Sequence, residues 1–180
     1  MPAVNPRAAL IVVDVQNGFV NAESAHVVPR IANLVRRWPG PVVFSRFVNA
    51  PGSSFERLMG WRRLQGPPET DLVAELEDLA ETVIDKGTYT VFADAGRAVA
   101  LAQGWTEVWV CGIDTECCVL ATAVGAFEMG LAPYVLVDYS ASHAGAAAHE
   151  AGLYLLGRLI GKRQVVYGDP LSSQAFVASA

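Results

Sequence analysis

Three side chains of this sequence have the types and settings for covalent hydrolysis: the carboxyl of Asp14, the amine of Lys86 and the thiol of Cys118. The thiol lies in Val108-Trp-Val-Cys-Gly-Ile-Asp-Thr-Glu-Cys-Cys-Val119, where an apolar run halts at Gly112 and a helical pattern begins soon after Thr115. That pattern predicts a strand, a tight turn and a helix, with the Thr115 hydroxyl as the helix cap. Cys117 and Cys118 then fall in the first helical turn, where orphan N–H groups and the positive end of the helix dipole stabilise a thiolate. The expectation is a thiol pKa lowered from its usual ~8.5.

Attack by a thiolate divides the difficult hydrolysis of an amide into formation and hydrolysis of a thioester. With Cys118 as the nucleophile, Asp14 takes the thiol proton and delivers it to the leaving nitrogen. The Lys86 ammonium steadies the thiolate and orients the carboxylate. The backbone N–H groups of Asp114 and Cys118 are candidate donors for an oxyanion hole, in which one donor is typically worth ~3 kcal/mol of transition-state stabilisation.

These groups must be positioned by elements far apart in the chain. Ala8-Ala-Leu-Ile-Val-Val-Asp-Val15 is a continuous apolar run rather than an alternating one, as in a strand covered on both faces, with Asp14 at its carboxyl end. Gln16-Asn-Gly-Phe19 has turn chemistry, and residues 28–38 have helical spacing at Ile31, Leu34 and Val35, closed by Pro39-Gly40. A second strand is expected over 41–48, a short helix over 71–79, a strand over 82–86 and a helix over 94–103 ended by Gly104. Strands at 108–111, 133–138 and 164–167 alternate with helices at 116–129 and 144–160.

Strands and helices in alternation predict an α/β fold, a three-layer sandwich with a six-stranded, mostly parallel, Rossmann-like sheet and helices on both faces, joined by right-handed crossovers. A length of 180 residues fits one domain spanning 1–180. In such sheets ligands bind beyond the carboxyl ends of the strands, near a switch in strand order. Asp14, Lys86 and the turn before Cys118 all lie at carboxyl ends of expected strands.

Composition narrows the function. A hydrophobic fraction of 52% with 17% charged residues describes an ordered chain. A net charge of −5 without a basic stripe argues against nucleic acid and against a polybasic membrane patch, so the expected partner is a small-molecule substrate. The start Met-Pro-Ala-Val-Asn-Pro-Arg has no secretory pattern, and a cytoplasmic location is the expectation. Three cysteines, two of them adjacent, do not make a disulfide framework, and free thiols are expected. The apolar stretch 117–132 is interrupted by Glu128 and falls short of the ~20 residues of a membrane span.

Other residues are candidates for the substrate site. Phe19, Trp61 and Phe92 can line a pocket, while Arg46 and Asn49 follow the second strand and can hold a polar or carboxylate substrate, Arg through its planar donor fork. Thr115 and Asp138 are candidates to support the site from behind. The loop-like stretch 49–68 is long enough for a lid, and its amphipathic piece 55–63 suits a subunit contact equally well. Together with the Ala-rich helix from Ala144, it leads to the expectation of a homo-oligomer, dimer or tetramer.

Asp14-Val-Gln-Asn-Gly-Phe19, Lys86 with Phe92 six positions on, and Gly112-Ile-Asp-Thr-Glu-Cys-Cys-Val119 together resemble the isochorismatase-like cysteine hydrolases, which include nicotinamidases and N-carbamoylsarcosine amidohydrolases. The resemblance extends from about Ala8 to Tyr167. It implies Cys118 rather than Cys117 as nucleophile, the isochorismatase-like fold, and a cis peptide bond between Ile113 and Asp114. It also implies cleavage of a C–N bond in a small amide, ureido or carbamoyl compound with release of ammonia.

Two departures matter. Nicotinamidases carry an Asp-x-His segment and further His ligands after the second strand, whereas Arg46-Phe-Val-Asn49 and the stretch to Asp71 contain no His, so neither metal nor any other cofactor is expected. Asp114 stands where family members often have a small residue. Isochorismatases proper lack the nucleophilic Cys and cleave a vinyl ether, an alternative on the same fold. A non-catalytic, redox-responsive protein using the Cys117-Cys118 pair is a further one.

Overall fold

In a computed structural model, which describes residues 4–5, 7–172 and 176–177, β1 (Ala9–Val13) runs through the middle of the sheet. Residues 1–3 and 6, on which the reading of the amino terminus partly rests, lie outside the described residues. Both faces of β1 are covered. Leu10 and Val12 join one buried apolar cluster, and Ala9, Ile11 and Val13 join another on the opposite face.

The other strands are β2 (Val42–Phe47), β3 (Val83–Lys86), β4 (Glu107–Ile113), β5 (Ala132–Ala141), β6 (Val165–Tyr167) and β7 (Phe176–Val177). Their order is β3-β2-β1-β4-β5-β6-β7. The first six are parallel, as expected. To the expected six strands β7 adds a short antiparallel pairing against β6. β5 runs three residues beyond the expected 138, and its register against β4 shifts between Val110 and Gly112.

Helices α1 (Val28–Arg37) and α3 (Ala74–Glu77) cover one face through Ile31, Leu34 and Leu76. The other face carries α4 (Asp94–Gln103), α5 (Leu120–Glu128) and α6 (Ala146–Leu156), packed through Ala100, Ala123, Leu153 and Leu156. The stretch expected as a loop contains α2 (Ser54–Met59), opened by Ser53, whose Oγ accepts from the Glu56 N–H, and closed by Gly60 at φ 69°. None of the described helices is long and apolar enough to cross a membrane.

The chain leaves β1 for β2 on one side and β4 lies on the other, so the strand order switches between β1 and β4. That is where an α/β sheet opens a crevice at its carboxyl edge. Gly112 makes the pair close: its φ is 119°, and a Cβ there would stand 2.1 Å from the Val13 carbonyl oxygen. No other residue fits.

Candidate active site

Asp14 is the first residue after β1, fully buried, with φ 49° in the left-handed region that Asp tolerates better than most residues. Its Oδ1 accepts from Ser45 Oγ at 2.7 Å, and its Oδ2 accepts from Lys86 Nζ at 2.6 Å. The carboxylate is thereby fixed from both sides. Gln16 secures the same strand end: its Nε2 donates to the carbonyls of Phe47 and Thr70, both at 2.9 Å, and its Oε1 accepts from the Phe47 N–H at 2.8 Å.

Lys86 ends β3, which is separated from β1 by β2, a distance of about 10 Å at the usual strand spacing. Val13 pairs with Ser45 and Phe47 with Lys86, so the amine crosses the end of β2 and passes 5.3 Å from the Phe47 ring centroid. Besides Asp14, it donates to the carbonyls of Thr88 at 2.9 Å and Tyr89 at 3.0 Å. All three ammonium protons have acceptors, as a side chain only 3% exposed requires.

Cys118 sits in a π-helical turn, Thr115–Val119, that joins β4 to α5. This corrects the expected α-helix from Glu116: the wide turn comes first, and the N–H groups of Cys117 and Val119 both donate to the Asp114 carbonyl, at 3.1 and 3.0 Å. π-turns recur at functional sites because they re-aim side chains. The Ile113–Asp114 peptide bond is cis. From behind, α6 presses Gly152 onto the turn, where a Cβ would meet the Glu116 nitrogen at 2.7 Å.

Of the roles expected of Thr115, capping the helix and touching the substrate are corrected, and support of the site from behind is what it provides. It is fully buried, and its Oγ1 pairs with His149 Nδ1 at 2.7 Å, on a ring whose pKa burial lowers. That contact anchors the turn to α6. The expected lowering of the thiol pKa is also overturned. Burial pushes the Cys118 pKa well up, the Asp14 carboxylate adds to the rise, and the Lys86 ammonium opposes it. Burial likewise pushes Cys117 up to about 11, with help from Glu116 and Asp114. The dominant effect is loss of water, which the helix-mouth argument neglected. The resting sulfur is a thiol beside a carboxylate.

Cys118 nonetheless reaches a cavity of about 320 Å³. Its walls are the aromatic and apolar side chains of Phe19, Phe47, Phe55, Met59, Trp61 and Tyr89. Phe19 stacks on Trp61 with centroids 6.1 Å apart, and Phe55 meets Tyr89 edge-on at 5.0 Å. Phe19 and Trp61 thus stand where a pocket role needs them. The stretch 49–68 supplies part of the wall through Phe55, Met59 and Trp61.

Arg46, Asn49 and Phe92 do not reach this cavity. Arg46 pairs with Asp85, its neighbour across β2 and β3, through Nε to Oδ1 at 2.6 Å and NH2 to Oδ2 at 2.9 Å on the outer face. Asn49 is buried and braces the loop: its Nδ2 donates to the carbonyls of Trp61 and Arg63 at 2.9 and 3.0 Å, and its Oδ1 accepts from Ser53 Oγ at 2.5 Å. Phe92 is buried in the cluster beneath α4 and α5, next to Gly125. Asp138 accepts from the Gly168 N–H at 2.6 Å and so ties β5 to the end of β6.

The residues at the end of β2 and after it offer no His, Arg46 within the strand is paired with Asp85, and Asn49 braces the loop. Among the described residues no group of three or more His, Cys, Asp or Glu side chains could hold a metal ion. Sequence reasoning missed Ser45, Gln16 and His143. The first two are legible only through strand register. His143 lines the cavity, and its N–H and ring Nδ1 meet the two oxygens of Asp114 at 2.7 and 2.6 Å.

A model of the isochorismatase domain matches residues 8–160. Streptothricin hydrolase of Streptomyces noursei is 36% identical over 126 residues, which are 68% of this chain and 45% of that protein, so the chain spans less than half the length of this relative. Nicotinamidase 3 of Arabidopsis thaliana is 28% identical over 160 residues, 81% of this chain and 78% of that protein. The fold is also that of the N-carbamoylsarcosine amidase of Thermoplasma acidophilum, with a TM-score of 0.76 over 93% of this chain and 99% of that one at 20% identity. With the domain model covering all of the strands from β1 to β5 and the turn that bears Cys118, the chain belongs to the isochorismatase family.

Proposed function

We propose that the protein is a cysteine hydrolase that cleaves a C–N bond of a small amide, ureido or carbamoyl compound through a thioester and releases ammonia. The observation that carries this reading is the meeting of three side chains far apart in the chain: Lys86 Nζ lies 2.6 Å from Asp14 Oδ2, the Asp14 carboxyl stands against the Cys118 thiol, and Cys118 lines the apolar cavity. Relatives whose names describe a nicotinamidase and an amidase support an amide bond.

The raised pKa of Cys118 gives Asp14 its task. The carboxylate takes the thiol proton as sulfur attacks the carbonyl carbon, so the charge moves from Asp14 to sulfur to the carbonyl oxygen without a free thiolate in the resting site. The backbone N–H groups of Asp114 and Cys118 are the donors for that oxygen. Collapse of the tetrahedral intermediate breaks the C–N bond, and Asp14 returns its proton to the leaving nitrogen. Water then attacks the thioester, giving its proton to Asp14, which restores the thiol as the acid departs. Lys86 holds the carboxylate in place through its 2.6 Å contact with Oδ2.

The test is a panel of primary amides and ureido acids, with ammonia measured and the protein mass followed for an acyl adduct on Cys118. Ammonia release with an adduct that Cys118→Ala abolishes supports the reading. Turnover that survives Cys118→Ala but not Asp14→Asn points to ether cleavage on the same fold instead. Reversible oxidation of Cys117 and Cys118 without turnover of any compound points to a redox-responsive protein.

A further inference from the structure

The cavity at Cys118 is apolar over most of its wall, and no Lys or Arg stands among the residues that line it. Besides the two cysteines, the phenol of Tyr89 and the indole N–H of Trp61, its polar side chains are Asp114 and His143. Lys86 is 3% exposed and spends its donors on Asp14, Thr88 and Tyr89, and Arg46 faces away against Asp85. A substrate carboxylate would therefore meet no Lys or Arg there, and it would meet the buried carboxylate of Asp114.

His143 follows β5 and is held in two ways by one side chain. Its backbone N–H donates to Asp114 Oδ1 at 2.7 Å, and its ring Nδ1 lies 2.6 Å from Asp114 Oδ2. The ring packs against Phe19 with centroids 5.7 Å apart, which fixes its plane. A carboxylate accepts hydrogen bonds and does not donate them, so Nδ1 bears the hydrogen and Nε2 is the ring nitrogen left over for a ligand. Asp114 is itself 4% exposed and one residue from the turn, so the device is as rigid as the turn that bears the nucleophile.

We propose that His143, oriented by Asp114, is the polar specificity contact of this cavity: it presents Nε2 as a hydrogen-bond acceptor to the part of the substrate away from the scissile carbonyl. The preferred substrates are then uncharged, flat amides of the size of a single aromatic ring that carry an O–H or N–H donor. Carboxylate-bearing ureido acids are disfavoured. A volume of about 320 Å³ lies at the small end of ligand pockets, and stacked aromatic walls suit a flat group. The amide part of this assignment rests on the cysteine-hydrolase reading; the acceptor at Nε2 does not.

The experiment compares benzamide, its meta- and para-hydroxy derivatives and meta-carboxybenzamide, with kcat/KM from ammonia release and affinity from calorimetry on the Cys118→Ala variant. At least one hydroxybenzamide is expected to exceed benzamide about tenfold in kcat/KM and in affinity, because a site built around a hydrogen bond discriminates against a ligand lacking it. The carboxylate is expected to be the weakest of the four. His143→Phe keeps a ring beside Phe19 and removes Nε2, and it is expected to bring the hydroxyl preference to about one. His143→Gln, which can still accept, is expected to recover part of it, and thermal unfolding of both variants checks that they fold. A preference untouched by His143→Phe, no hydroxyl preference at all, or a preference for the carboxylate overturns the proposal while amide turnover keeps the hydrolase reading. Conversely, His143-dependent binding of the hydroxybenzamide without turnover keeps the proposal and overturns that reading.

Discussion

Lys86 Nζ stands 2.6 Å from Asp14 Oδ2 although a whole strand lies between the two residues' own strands. The amine reaches across because β3 ends level with the end of β2, and the carbonyls of Thr88 and Tyr89 take its other protons. Both side chains are out of water, and each is the ion-pair partner of the other.

Removing one partner should therefore cost more than removing both. Lys86→Met leaves a buried carboxylate without its cation and is expected to destabilise by about 3–5 kcal/mol. The double variant with Asp14→Asn is expected to recover part of that loss in urea unfolding, as coupled residues are not additive. On activity, Asp14→Asn alone should lower kcat about 10²–10⁴-fold with a smaller change in KM.

The raised pKa of Cys118 fixes the sign of two pH effects. Since the folded protein holds the thiol proton more tightly than the unfolded chain, stabilisation is complete below the ordinary cysteine pKa of about 8.5 and is lost as pH rises beyond it. Thermal unfolding midpoints should fall on that alkaline side. Alkylation of Cys118 by iodoacetamide, followed by peptide mapping, should keep accelerating through about pH 8.5. A rate that levels off below about pH 7 would show a preformed thiolate and remove the need for Asp14 as base.

Gly112→Ala is expected to cost about 2–5 kcal/mol, since φ 119° and a carbonyl 2.1 Å from the new methyl both oppose it. The loss arises between β1 and β4, so the surviving folded protein should also show weakened turnover. Ala at the neighbouring Cys111, which the thiol fills as a small buried hydrophobe, should be much milder.

Asn49→Ala removes three hydrogen bonds that pin the cavity's outer wall. About 1–3 kcal/mol of stability should go with the unsatisfied carbonyls of Trp61 and Arg63. Trypsin should cut faster at Arg57, Arg62 or Arg63, and KM should rise more than kcat falls. Equal proteolysis rates would mean that the wall is held by its aromatic packing alone.

Arg46→Ala tests the reassigned arginine. Its ion pair with Asp85 is 38% and 56% exposed, so less than about 1 kcal/mol is expected, with kcat/KM unchanged for every substrate. A KM increase confined to carboxylate substrates would return Arg46 to the binding site.

The strands were legible because continuous apolar runs such as 8–13 have one physical explanation, and Asp14, Lys86 and Cys118 were legible because each lies at the carboxyl end of a strand or in the turn that follows it. Side-chain direction was harder. In β3, Val83 and Asp85 face water while Ile84 and Lys86 are buried, and register places Arg46 beside Asp85. Period-two alternation alone, applied from a buried Lys86, would have turned Asp85 and its partner outward. Ser45 and Gln16 needed the register itself, and His143 needed the end of β5 brought back to Asp114, a contact 29 residues apart. The thiol's protonation was misjudged because helix-end stabilisation was counted without the dehydration that opposes it.

The wall segment has a consequence for how such a protein acquires new substrates. Residues 50–63 form a self-capped stretch joined to the frame at Asn49 and at Leu64, whose N–H and carbonyl are held by Glu69 and Asn49. None of Asp14, Lys86 or Cys118 lies within it. In the proposed hydrolase, exchanging that stretch as one cassette should change selectivity while Asp14, Lys86 and Cys118 stay in place, so substrate preference can drift quickly on a reaction that does not change.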